Sequence, residues 1–306
     1  MQLTIFTPTY NRERTIKRLF ESLLQQEIQD FVWDIIDDGS TDETEDVIND
    51  LREEAPFLIQ YKKRNNGGKY SALVDAIQRC KTELFICIDS DDYISSDCIK
   101  ILLETWNVYG RNNNSIVGVV CPRAYTNGHL SCRYFPETGK MVTMCELSDK
   151  YRIKGETLIL LRTDYLKKLE YPYFKNEKFT SEEIIYNQLD IKYRYITLNR
   201  SLCYMKYLND GLTKNLFRNW ISSPKATNYM LRKRYEMTAG LSFGKSFLKK
   251  IKTIIFQICV AKARNEKMKR YVSNYILSFF LYPIACIFYY RRKYNEIENE
   301  YNSTNI

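Results

Sequence analysis

The strongest constraint on this chain is an alternation of short apolar runs and helical patterns, repeated through its first ninety residues. Leu3–Pro8 reads as a strand, and Thr15–Gln25 follows with Ile16, Leu19, Phe20, Leu23 and Leu24 on one helical face. Val32–Ile36 is a second strand, followed by a helix over about 43–53 with Val47, Ile48 and Leu51 as its apolar side. Leu58–Tyr61 is a third. Asn66-Gly67-Gly68-Lys69 then opens a helix carrying Ala72, Leu73, Ala76 and Ile77, and Leu84–Ile88 is a fourth strand. This order predicts an α/β fold, a mainly parallel sheet flanked by helices. Right-handed crossovers put the carboxy ends of those strands at one edge, where open α/β sheets bind ligands.

Each strand ends in a polar cluster at that edge. The most informative is Asp89-Ser90-Asp91-Asp92. Like charges held that close repel, and a hard divalent cation such as Mg²⁺ or Mn²⁺ relieves them. The cluster also fits a solvated loop capping the next helix. Asp38-Gly39-Ser40 suits a turn, and Gly67-Gly68-Lys69 suits a helix entry or a diphosphate beside free N–H groups. In order, each after its own strand, the clusters are far more specific than any one alone.

Further along, Val117–Val120 and Thr157–Leu161 read as strands, 123–154 as an irregular excursion and Glu182–Leu189 as a helix. Tyr193–Leu198 with Leu202–Met205 reads as a closing strand pair. Nine cysteines carry no C-x-x-C pair, which fits reduced thiols and a cytoplasmic setting. No signal peptide is evident. The one histidine, His129, lacks a nucleophile pattern around it and reads as a loop residue.

The net charge of +9 is uneven. Residues 231–270 hold twelve Lys/Arg against Glu236 and Glu266. Phe247, Leu248, Ile251, Ile254, Ile255 and Ile258 recur at helical spacing there, with Lys245, Lys249, Lys250 and Lys252 between them. That pattern fits an anionic membrane surface, or a helix packed on the domain with its lysines in water. Ile276–Tyr290 is a second apolar run, shorter than the ~20 residues that span a bilayer and interrupted by Pro283, which predicts an interfacial or re-entrant segment. Nucleic acid fits less well, since the basic helix lacks aromatics interleaved for base stacking. A domain boundary is expected between 222 and 223, beside Ser223-Pro224.

Thr7-Pro8-Thr9-Tyr10-Asn11, Asp37-Asp38-Gly39-Ser40-Thr41-Asp42, Asn66-Gly67-Gly68-Lys69 and Asp89-Ser90-Asp91-Asp92 together resemble the family 2 glycosyltransferases with the GT-A fold. The likeness is strong through about Trp106, traceable to about Asn215 and absent beyond. It implies an inverting transferase for a nucleotide-diphosphate sugar, with UDP the expected nucleotide. The expected acceptor is a saccharide or polyprenyl-linked saccharide at the inner face of a bacterial membrane, in surface polysaccharide assembly. Thr7, Pro8 and Tyr10 are expected to border base and ribose, Asp37 and Asp38 to hydrogen-bond them, and Lys69 to lie near the nucleotide. Asp89 and Asp91 match the family's DxD motif, with Asp91 the direct ligand of Mn²⁺ or Mg²⁺. Asp92 is expected to hold the loop or the donor sugar.

The resemblance also implies a general base on a later helix. Glu182 and Glu183 are the candidates, although two acids at a helix start also suit its dipole. Glu182 is favoured because Glu183 adjoins the apolar Ile184-Ile185 pair. The family usually has Asp there. Tyr207–Thr213 resembles an acceptor-side loop. The Gln-x-x-Arg-Trp pattern of processive synthases is missing, which implies single sugar addition. A non-catalytic nucleotide-sugar-binding relative is the competing class.

Overall fold

The structure, a computed structural model, describes residues 1–205, 216–237 and 242–304, with the side chains of 292 and 294–304 excepted. The chain forms two compact units, Met1–Gly211 and Leu212–Ile306.

The first unit begins with β1 (Leu3–Thr9), α1 (Ile16–Leu24), β2 (Phe31–Asp37), α2 (Thr44–Glu54), β3 (Leu58–Lys63), α3 (Lys69–Arg79) and β4 (Leu84–Cys87). Next come β5 (Tyr93–Ile94), α4 (Cys98–Thr105), a π-helical turn (Trp106–Gly110), β6 (Ile116–Pro122), β7 (Ala124–Tyr125), β8 (Met141–Val142) and α5 (Met144–Asp149). β9 (Thr157–Arg162), α6 (Thr163–Leu166), α7 (Glu183–Lys192), β10 (Arg194–Thr197) and β11 (Cys203–Met205) complete it. The main sheet has eight strands in the order β3-β2-β1-β4-β9-β6-β10-β8.

β1, β2 and β6 are buried along their whole lengths, as strands covered by helices on both faces must be. On one face of the sheet, Ile16, Leu19, Phe20 and Leu23 of α1 pack with Trp33 and Phe57. On the other, Ala72, Leu73, Ala76 and Ile77 of α3 join Phe6, Phe85 and Tyr195. Leu24, expected on the apolar face of α1, is 39% exposed, because it lies past the stripe that meets the sheet. β2 carries one buried acid, Asp34, which takes a forked pair of hydrogen bonds from the Arg79 guanidinium at the end of α3.

The sheet is mainly parallel, as expected, and its first four strands all run parallel. β9 runs antiparallel between β4 and β6. A Cβ at Gly118 would run into the Leu160 carbonyl, so this crowded pairing requires glycine. Other expectations need correction. First, β10 and β11 do not pair with each other. β10 lies beside β6 and β8, while β11 forms a small second sheet with β5 and β7. Second, the excursion over 123–154 is partly ordered. It carries β7, β8 and α5, whose Thr143 and Glu146 form a reciprocal capping box.

The second unit comprises α8 (Leu216–Ser222), α9 (Pro224–Glu236), α10 (Phe243–Ala263), a 3-10 turn (Met268–Arg270) and α11 (Tyr275–Thr304). Trp220, Phe256 and Phe288 stack edge to face, and Gln257 exchanges two hydrogen bonds with Ser273. α10 is amphipathic, as its spacing predicts. Ile254 and Ile258 are buried, whereas Phe247 is 46% and Leu248 57% exposed. Pro283 lies inside α11 without ending it, contrary to expectation. No helix among the described residues is long and apolar enough to cross a membrane.

Candidate active site

Four segments of the first unit converge at the carboxy edge of its parallel strands. The β1–α1 and β2–α2 loops are laced together. Asn11 adopts a left-handed backbone, its N–H donates to Ser40 Oγ at 2.9 Å, and its side-chain oxygen accepts from Thr41 N at 2.9 Å. Asp37 closes its own turn. One oxygen accepts from Ser40 N at 2.7 Å and the other from Tyr61 OH at 3.0 Å. Asp38 accepts from Gly67 N at 2.9 Å and Gly68 N at 2.6 Å, and pairs with Arg64 Nε at 3.0 Å. Both acids therefore brace the loops around a cleft lined by Gly39, Ser40, Arg64 and Asn66, of about 560 Å³.

Gly68 carries the sharpest backbone requirement. Its φ is +89°, and a Cβ would collide with the Lys178 carbonyl. Gly128 shares a positive φ of +83° but faces open space. Gly68→Ala is expected to destabilise the chain by more than the ~1–3 kcal/mol of backbone strain alone, and Gly128→Ala by no more than that. Urea unfolding of the two variants checks the order; equal losses would show that the Lys178 contact is not a constraint.

Immediately after this glycine, Lys69 opens α3. Its ammonium lies 2.7 Å from Asp89 Oδ1 and 3.2 Å from Glu182 Oε1. Asp89 follows β4, and Glu182 is the N-cap of α7, so three distant parts of the sequence meet on one charge. Tyr186, one turn along α7, donates to Glu182 Oε2 at 3.4 Å. Glu183 has its backbone N–H on Ser181 Oγ, and its carboxylate accepts from Asn187 at 3.3 Å.

One residue that the sequence reading missed completes the cluster. Arg123, directly after β6, is buried and lies 2.7 Å from Asp92 Oδ2 and 3.5 Å from Asp89 Oδ2. Its signal was a lone cation just past a fully apolar strand, where only a paired charge is tolerated. Burial would raise the Asp89 carboxyl, but Lys69 and Arg123 hold it down to about 2. Burial, with Asp89 nearby, pushes Asp92 and Asp91 up. Lys69 stays charged against its own desolvation because Asp89 and Glu182 face it.

The remaining expected residues are placed unevenly. Thr7 is fully buried with its hydroxyl accepting from Trp33, and Pro8 is buried beside it. Neither presents its side chain at the surface of the edge. Tyr10 does, at 46% exposure. Asp92 is buried on Arg123, an anchor for the loop. His129 is exposed in the turn after β7. Tyr207–Thr213 lies outside the described residues.

Among the described residues no three His, Cys, Asp or Glu side chains gather as a closed metal cage. The donor set nevertheless fits a hard cation. Asp91 carries no ion pair among the described residues, and Arg18 fixes its loop by donating to the Asp91 carbonyl while stacking 5.2 Å from the Tyr93 ring. One or two carboxylates are what Mg²⁺ and Mn²⁺ sites shared with phosphates require.

The sequence profile described as Glycosyl transferase family 2 matches residues 4–169, over half of the chain and all of these edge motifs. This chain belongs to that family. Among family 2 relatives, the poly(ribitol-phosphate) beta-N-acetylglucosaminyltransferase TarS of Staphylococcus aureus is 26% identical over 202 residues, 65% of this chain and 33% of its own length. The poly(ribitol-phosphate) beta-glucosyltransferase of Bacillus spizizenii is 31% identical over 118 residues, 38% of this chain and 18% of its own. The chain thus spans a third or less of these relatives. A fragment of S. aureus TarS in complex with UDP-GlcNAc shares the fold at a TM-score of 0.59 and 17% identity, over 89% of each chain. Mannosyltransferase PcManGT from Pyrobaculum calidifontis, in complex with GDP-Man and Mn²⁺, does so at 0.56 and 14%, over 94% of this chain and 80% of its own. The fold is GT-A with a C-terminal helical extension.

Proposed function

We propose that this family 2 member is an inverting glycosyltransferase. It moves a sugar from a nucleotide-diphosphate sugar to a hydroxyl of a saccharide or polyprenyl-linked saccharide acceptor in surface polysaccharide assembly. The observation that carries this reading is the junction of Lys69, Asp89 and Glu182 at one strand edge. It sets a cation for a diphosphate beside a carboxylate able to take a proton.

In this reading Glu182 accepts the proton of the attacking hydroxyl at Oε1, with Tyr186 steadying Oε2. Lys69 steadies the departing phosphates as a point charge. Asp37 and Asp38 keep the loops around the nucleoside cleft rigid. Arg123 and Arg18 hold the Asp89–Asp92 loop. A bound Mn²⁺ or Mg²⁺, held by Asp91 and Asp89, would neutralise the diphosphate as it leaves. The poly(ribitol-phosphate) transferases and the UDP-GlcNAc complex among the relatives support a UDP-sugar donor. The basic second unit supports attachment to an anionic membrane surface on the cytoplasmic side.

Calorimetric titration of UDP and GDP, with and without Mn²⁺, tests the donor site. UDP is expected to bind tighter with metal, and Asp91→Ala to abolish the metal-dependent gain. Metal-independent binding unaltered by Asp91→Ala would remove the cation from the proposal.

A further inference from the structure

The outer face of α11 is built the wrong way round for a helix in water. Ile276, Phe279, Phe280, Ile284 and Ile287 are 74%, 71%, 71%, 54% and 71% exposed, whereas Ser278 and Ala285 are buried. The exposed positions recur at intervals of three and four residues, so they form one continuous stripe along the helix. Leu281 packs inward with them, and Cys259 Sγ donates to the Ala285 carbonyl there, while these five bulky apolar groups face out.

Charge decides what covers this stripe. Residues 212–306 hold 18 Lys/Arg and 5 Asp/Glu, a net +13. Exposed Arg291 and Lys293 follow the stripe directly, with Arg291 one helical turn beyond Ile287 on the same face. A second copy docking through this stripe would bring two units of +13 together, whereas an anionic lipid surface neutralises them. Phenylalanine and isoleucine beside cations, on a helix unfit to cross a bilayer, match a segment lying in the headgroup region.

We infer that the Ile276–Ile287 stripe of α11, with Arg291 and Lys293 at its end, is the face by which the chain docks on an anionic lipid bilayer. The inference rests on the membrane-surface part of the reading above and names the face responsible.

The test is flotation of the full chain with vesicles of phosphatidylcholine alone, or mixed with phosphatidylglycerol. The chain is expected to float with the mixed vesicles. Phe279→Asp with Phe280→Asp should weaken binding by roughly a hundredfold or more. Arg291→Gln with Lys293→Gln should weaken it by roughly tenfold or more and flatten its salt dependence. UDP titration in solution should match wild type for both pairs, and the helical circular dichroism and its thermal melt should match as well, which shows that the second unit folds. Wild-type protein that ignores both vesicle types overturns membrane docking altogether. Flotation unaltered by the phenylalanine pair overturns this face and leaves attachment elsewhere on the unit. A wild-type dimer in sedimentation that the phenylalanine pair turns to monomer assigns the stripe to self-association and overturns the inference.

Discussion

Glu182→Gln is expected to lower kcat by roughly 10²–10⁴-fold while leaving UDP-sugar affinity within about twofold of wild type. Glutamine keeps the size of the side chain and can still meet Tyr186, but it cannot take a proton. The Glu182 carboxylate reaches the cluster, at 3.2 Å from Lys69 Nζ. Glu183 directs an oxygen along its own helix to Asn187. Glu183→Gln is therefore expected to stay within a few fold of wild type in kcat. Steady-state kinetics with a UDP-sugar, together with calorimetry of the donor alone, separates the two variants. A large loss in Glu183→Gln with a small one in Glu182→Gln would reverse the assignment. A matching loss of donor affinity in Glu182→Gln would mean that the residue holds Lys69 for the nucleotide rather than serving as base.

The half of the fold that builds this edge was legible because periodicity and burial agree. β1, β2 and β4 are short apolar runs, β3 is an edge strand with only Ile59 buried, and each intervening helix shows its core stripe at the right spacing. Strand direction was not legible at β9. Its buried run Leu158–Leu161 reads alike whether parallel or antiparallel, and only the Gly118–Leu160 approach betrays its neighbour. Arg123 was overlooked because its meaning lies in partners 31 and 34 positions away, Asp92 and Asp89. Pro283 misled in the other direction. It lies on the exposed side of α11, where its missing N–H and ring leave the packed side intact. The outward stripe was invisible as such, since an apolar run does not say which of its faces meets protein. At Thr143 the capping-box spacing to Glu146 was present, but no strong apolar pattern followed to mark a helix.

Arg123→Met is expected to destabilise the first unit by about 3–5 kcal/mol at neutral pH. The side chain is buried and serves two carboxylates; removing it leaves Asp92 without its ion-pair partner in a dry site and Asp89 with Lys69 alone. The loss should depend on pH with a definite sign. The folded-state value of Asp89 is depressed from 3.8 to about 2, so its contribution is present above about pH 4 and is lost as pH falls toward 2. Protonated carboxyls need no guanidinium. The gap between wild type and Arg123→Met should therefore narrow as pH falls, first as Asp92, pushed up to about 7, takes its proton and then as Asp89 takes its own. Adding Asp92→Asn should recover part of the lost stability at neutral pH, because the stranded carboxylate beside Asp89 is gone. Urea unfolding of wild type, Arg123→Met and the double variant between about pH 8 and about pH 2 measures all three. A gap that does not change with pH would mean that Arg123 contributes through packing of its stem rather than through its charge. A double variant no more stable than Arg123→Met would mean that Asp92 is not the group it neutralises.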